Sequence, residues 1–168
     1  MNKFTVAGVA VACMITIGSG LPAARAQSQA GATGTEFVRM TPDTLKWVDY
    51  PGDGGPLGIK EALVYGDPAK PGLYIIRIKF PAHVMSRPHS HPETRIGTVI
   101  TGTWWTGTGA KFDPASTTAV PTGGIMIHPA GKIHYDGAKD AETIVQLMGI
   151  GPTGKTNANP SDPGFSKQ

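Results

Sequence analysis

The chain has 168 residues, a length that favours one domain, and carries 15 Lys and Arg against 12 Asp and Glu with a single cysteine. Two of the basic residues, Lys3 and Arg25, and the cysteine, Cys13, fall in an N-terminal segment with the marks of an export signal, and without them 13 basic residues face 12 acidic ones. That balance gives a nucleic-acid partner or an anionic membrane surface no electrostatic support, and a domain without disulfides must rest on a core that lets about 140 residues bury roughly two thirds of their surface.

Residues 1–26 read as a signal peptide. Met1-Asn2-Lys3 is a short basic start, FTVAGVAVACMITIG is an uncharged apolar run, and Ala24-Arg25-Ala26 is the small-x-small pattern of a cleavage site. Cys13 lies within the apolar run, too early for a lipoprotein cysteine. Cleavage is expected after Ala26, giving a periplasmic or secreted protein that starts at Gln27. No second apolar span follows, so no membrane association is expected after cleavage. Residues 27–44, opening with QSQAGATGT, are expected to form a flexible leader.

From residue 45 to 151 the sequence alternates short apolar runs with turns. Candidate strands are LKWV (Leu45 to Val48), IKEALVY (Ile59 to Tyr65), LYIIRIKF (Leu73 to Phe80), IGTVI (Ile96 to Ile100), TWWT (Thr103 to Thr106), IMIH (Ile125 to His128) and TIVQLM (Thr143 to Met148). PGDGGPLG, GDPAKPG and PTGG separate them. No apolar 3.6-residue period is long enough for a substantial helix. Short strands rich in Ile, Val, Thr and aromatics predict an all-β sandwich or small antiparallel barrel. Residues 152–168, with three prolines and few apolar side chains, are expected to be a C-terminal tail.

GIGPTGKT, Gly149 to Thr156, matches the phosphate-loop pattern GxxxxGK[ST]. A phosphate loop needs backbone N–H groups that lead into a helix N-terminus. Here Pro152 removes one N–H, and Pro160 and Pro163 oppose a helix in the twelve residues that remain. No nucleotide partner is expected.

The five histidines, His83, His89, His91, His128 and His134, lie within residues 83–134. His89 and His91 are two apart, so on a strand both imidazoles project from one face. One cation could then take both nitrogens at about 2.0–2.2 Å. His134, after the PAG turn of IHPAGKIHYDG, is the best candidate for a third imidazole. Such a set leaves coordination positions open for substrate binding or oxygen activation. The simpler alternative is a pair of surface histidines in a Pro-rich segment. His83 and His128 could line the pocket but are more simply read as structural histidines, and Asp136 and Asp140 as solvated turn residues. Met85, Met126 and Met148 read as packing.

RPHSHPETRIGTVITG followed by GGIMIHPAGKIH resembles the two motifs of the cupin superfamily, and TVITGTWWTGTGAKFD, TAVPTGG and AETIVQLMGIGP resemble small exported single-domain cupins. The resemblance covers roughly Leu45 to Gly151. It implies a cupin jelly roll, also described as a double-stranded β-helix, holding one divalent metal ion (Fe, Mn, Ni or Zn). It places the metal histidines at His89, His91 and His134. The family's glutamate ligand, separated from the second histidine by three or four residues, is missing: those positions are Arg95 and Ile96. Glu93, two residues early, could swing in as the carboxylate ligand. Alternatively the site has three histidines only, and Arg95 receives an anionic substrate or pairs with Glu93. A solvated Arg95 is the simplest third reading.

Arg87, Arg95, Trp104 and Trp105 are the candidate substrate-binding residues. Arg87 shares parity with His89 and His91, although Pro88 interrupts the strand. Trp104 and Trp105 are adjacent in a strand and must face opposite ways, one into the barrel and one outward. The expected function is a metal-dependent enzyme, of dioxygenase, isomerase or lyase type, on a small oxygen-rich organic molecule. A non-catalytic metal- or ligand-binding or sensing module is the alternative, and a cupin without metal a third. Exposed strand edges could support a homodimer.

Overall fold

The computed structural model describes residues 37–168; the segment expected to be a signal peptide and the expected leader as far as residue 36 lie outside the described residues. Residues 37–44 are exposed throughout. Beyond them the chain forms β1 (Val48–Asp49), β2 (Lys60–Tyr65), β3 (Gly72–Phe80), β4 (Val84–Ser86), β5 (His89–Ser90), β6 (Arg95–Thr101), β7 (Thr103–Thr108), β8 (Thr118–Pro121), β9 (Ile125–His128), β10 (His134–Ala138), β11 (Thr143–Gly151), β12 (Thr156–Asn157) and β13 (Phe165–Lys167). Two short 3-10 turns, Gly52–Leu57 and Pro114–Ser116, are the only helical segments among the described residues.

All strand pairs are antiparallel and fall into two sheets. The first runs β1-β2-β3-β11-β6-β9. In the second, β10 is central: β7 lies along one edge, with β8 beyond it, and β4 and β5 share the other edge. β5 carries β12 and β4 carries β13.

Register sorts the interior of the first sheet into layers. Tyr74, Gly149, Arg95 and His128 are successive cross-strand partners on β3, β11, β6 and β9. Two residues further along each strand come Ile76, Leu147, Gly97 and Met126, and then Ile78, Val145 and Val99. Side chains alternate faces along a strand, so each of these rows points into the molecule together. One end of the barrel therefore has a polar lining and the rest an apolar core. The buried Trp104 of β7 crosses from the second sheet into the apolar layer over Gly97, where a Cβ would stand 2.6 Å from its ring.

Six of the seven expected strands form close to where alternation places them, and the first contracts to Val48–Asp49. The strands not expected are β4, β5, β8, β10, β12 and β13. HYDGA of β10 has weak strand propensity, yet all five residues are buried because neighbours pair with both edges. The C-terminal residues differ most from expectation. Rather than a tail, residues 152–168 contribute β12 and β13, and Phe165, 6% exposed, packs edge-on against Tyr50 with centroids 5.2 Å apart.

Phe165 is an integral core residue, so Phe165→Ala should destabilise the protein by about 3–5 kcal/mol. Urea unfolding measures this directly, and a midpoint unchanged from that of the parent would restore the tail reading.

Candidate functional site

The pairing of β10 with β5 puts His134 directly opposite His89. His91 follows two residues after His89, and all three imidazoles are buried, their centroids 4.5–5.3 Å apart. One ring nitrogen from each lies within 4.8 Å of the others. The alternation expected of HxH thus holds, although β5 itself is only two residues long between Pro88 and Pro92.

Backbone carbonyls fix the tautomer of each ring. Nδ1 donates to Arg87 O at 2.7 Å in His89, to Gly154 O at 2.5 Å in His91, and to Lys132 O at 3.1 Å in His134. Each Nε2 therefore carries the lone pair, the arrangement that orients metal-binding histidines. Nε2 of His134 is buried without a hydrogen-bond partner among the described residues. Three neutral imidazoles anchored in this way fit a divalent cation.

Two residues to which the sequence reading gave other roles adjoin this set. Asp136 is not a solvated turn residue: it lies on β10 with the parity of His134, is buried, and places Oδ2 3.7 Å from His134 Nε2. His128 enters from the first sheet and stacks on His134 at 3.8 Å between centroids. It is 2% exposed, and neither ring nitrogen has a partner among the described residues. His128, His134 and Asp136 form a second set whose potential ligand atoms lie within 4.8 Å of one another. Parity in HYD was a signal for Asp136; nothing local marked His128, because its contact depends on how the sheets face each other. His83, by contrast, is exposed in a left-handed turn, φ 62°.

Arg95 is not solvated. It shares parity with Gly97 and Val99, is 7% exposed, and its Nη2 donates to His91 Nε2 at 2.7 Å. It makes no ion pair with a carboxylate among the described residues, and its Nε has no partner there. Glu93 does not swing toward the histidines. Its Oε1 accepts from Tyr74 Oη and from Thr153 Oγ1, both at 2.5 Å, while Oε2 is buried without a partner among the described residues. Tyr74 can reach this position because Gly149 opposite it has no Cβ, which would lie 2.8 Å from the hydroxyl.

The other substrate-binding candidates lie elsewhere. Arg87 pairs with Asp162 at 3.3 Å and covers the Phe112 ring, so it ties the C-terminal segment down. Trp104 faces inward and lines the cavity beside the histidines, whereas Trp105 faces outward under Lys139. In GIGPTGKT, Gly149 to Gly151 end β11, and no helix follows among the described residues. The segment instead supports the site: Thr153 holds Glu93, Gly154 O anchors His91, and Lys155 lines the cavity.

Burial keeps the imidazoles neutral. Loss of hydration around the cation is the first cause for all four, taking His91 down to about 3, His128 down to about 2, and lowering His89 and His134. Arg95 adds to the effect at His91, and the neighbouring histidines add to it at His89 and His128. Burial also lowers Lys155 to about 8, against the attraction of Asp53 and Asp136.

These folded-state values lie below the value of about 6.5 for a histidine in the unfolded chain. Between the two, the unfolded chain takes up protons that the folded chain refuses, so the stability is complete above about pH 6.5 and lost as pH falls. Each histidine contributes up to about 1.4 kcal/mol per pH unit. Thermal melts of metal-free protein should show Tm falling from about pH 7 to about pH 5, with a smaller slope in His128→Phe. A Tm unchanged over that interval would mean that the rings are protonated inside the fold.

No family model and no curated relative matches the chain in sequence. Solved structures do match its shape. The polyketide cyclase RemF from Streptomyces resistomycificus superposes with a TM-score of 0.63 at 14% identity, over 76% of this chain and 89% of that one. The DMSP lyase DddQ from Ruegeria pomeroyi gives 0.57 at 16% identity, over 71% of this chain and 64% of that one. A cupin-2 domain protein from Rhodospirillum rubrum gives 0.57 at 12% identity, over 76% and 83%. With two antiparallel sheets and the histidines gathered at one end of the barrel, this chain has the cupin fold.

Proposed function

We propose that the chain is an exported, metal-dependent cupin enzyme acting on a small, oxygen-rich organic molecule, with His89, His91 and His134 holding one divalent cation. The observation that carries this reading is the set of three buried imidazoles whose Nδ1–H groups are each spent on a backbone carbonyl. His128 has no such anchor, which favours the first set over the one built on His128 and Asp136. When bound, iron, manganese, nickel or zinc polarises substrate oxygens, and iron also activates dioxygen.

The chain's own residues would do the rest. Asp136 Oδ2, beside His134, can accept or return a proton. Trp104 and the apolar layer beneath it exclude water from one side of the cavity. A polyketide cyclase and a DMSP lyase share the fold, and at 14% and 16% identity they speak for the fold alone. Ile96, Ile125 and Ile127, exposed on the neighbouring strands β6 and β9, favour a homodimer. The N-terminal segment supports export, and N-terminal sequencing of secreted material should begin at Gln27; an intact Met1 would refute it.

A second reading, a non-catalytic metal- or ligand-binding module, is favoured by one observation. A guanidinium stands where the resemblance puts the carboxylate ligand. Aerobic screening for oxygen uptake or product formation, lost in His91→Ala, separates the two.

Protein exported and purified without chelators should carry near-stoichiometric metal that disappears in the His89→Ala/His91→Ala double variant. No metal after reconstitution with iron, manganese, nickel and zinc would overturn the metal reading.

A further inference from the structure

An sp2 ring nitrogen has one lone pair, and at His91 Nε2 the Arg95 guanidinium occupies it. Nδ1 of the same ring is committed to Gly154 O, so His91 has no second nitrogen to offer a cation. Metal and Arg95 thus compete for one atom. Arg95 must also leave a place where it is buried without a carboxylate among the described residues, and beside a divalent cation it would be repelled.

The cavity shows what would receive it. A space of ≈ 40 Å³ is lined by His89, His91, Arg95, Trp104, Asp136 and Lys155 among others. That exceeds the roughly 10–15 Å³ a single water needs, so the space admits a small polar group. Two of the lining groups, Arg95 and Lys155, are cationic side chains and one, Asp136, is acidic, so the lining favours an anion before any metal is counted. Tyr50, Lys155 and Phe165 also line a separate, more open pocket of ≈ 560 Å³.

We propose that Arg95 is a ligand-responsive plug: a small organic carboxylate entering the inner cavity takes the Arg95 guanidinium off His91 Nε2, so that metal and carboxylate bind cooperatively. This rests on the three-histidine metal reading and adds the substrate class, an organic acid. A guanidinium matches a carboxylate with two parallel hydrogen bonds, which a lone imidazole nitrogen cannot offer. The competing acceptor is Glu93 Oε2, buried and unpartnered among the described residues. If Arg95 moved there instead, metal binding would not depend on any added anion.

The test is a cobalt(II) titration of the full exported protein, followed by visible absorption, with acetate in excess, with acetamide as its neutral isostere, and with neither. Cobalt uptake by acetate itself is subtracted from a protein-free blank. Cobalt affinity should rise between about 5-fold and 150-fold with acetate, the range of typical site–site coupling, and not with acetamide. By linkage, cobalt should tighten acetate binding by the same factor. Arg95→Gln should bind cobalt tightly without acetate and lose the dependence. Acetate could also ligate cobalt directly, so an acetate effect that persists in Arg95→Gln overturns the plug. In metal-free protein, acetate should shift the ¹⁵N resonance of His91 Nε2 as the guanidinium leaves. This readout uses the unsubstituted chain and decides the matter even if Arg95→Gln does not fold; no shift overturns the proposal. Cobalt binding that is equal with and without acetate also overturns it while leaving the metal site standing. No cobalt binding under any condition removes both.

Discussion

His134 and His89 face each other across one antiparallel pair, and the rest of the site depends on that register. Given the pair, the two-residue period of extended chain brings His91 and Asp136 to the same face without further instruction. A slip of one residue between β10 and β5 would turn His134 outward and put Tyr135 or Ile133 in its place. Pairing on both edges of β10 resists such a slip. β7 and β4 hold Asp136 to Ala138 in register while β5 holds His134.

The first sheet contributes a second constraint of opposite character. Its polar layer, Tyr74, Gly149, Arg95 and His128, brings a guanidinium and an imidazole against the three histidines. Burying a cation costs several kcal/mol unless partners replace its water, and a nitrogen lone pair replaces only part of it. The Arg95–His91 contact is therefore a weak resting place for a buried charge. A cavity lined by this guanidinium, Lys155 and neutral imidazoles, with Asp136 as its one acidic group, carries an excess of positive charge.

The segment that imitates a phosphate loop shows how a motif can be right in letters and wrong in use. Its glycines lie at the end of a paired strand rather than at a helix N-terminus. What it supplies is support at three points, through Thr153 on Glu93, Gly154 on His91 and Lys155 at the cavity. The C-terminal segment that follows is held by Arg87–Asp162 and by Phe165, which makes the final residues part of the site's wall.

Periodicity is a local property, and it made the long strands of the first sheet and the spacing of His89 and His91 legible in the sequence. The direction of Arg95 stayed open in the sequence, because Pro88 and Pro92 interrupt the approach to β6; in the fold it shares its face with Gly97 and Val99. β4, β5, β10, β12 and β13 carried no such mark, because they are short or polar and are strands only through the neighbours that pair with them. The direction of Glu93 was set by Tyr74 and Thr153, which lie 19 and 60 residues away in the chain. His128 met His134 only because the two sheets face each other at that level. The sequence by itself determined which residues share a strand face, since a strand's period needs no distant contact. Only the tertiary structure decided which faces meet, and with that which charges are left unpaired beside the histidines.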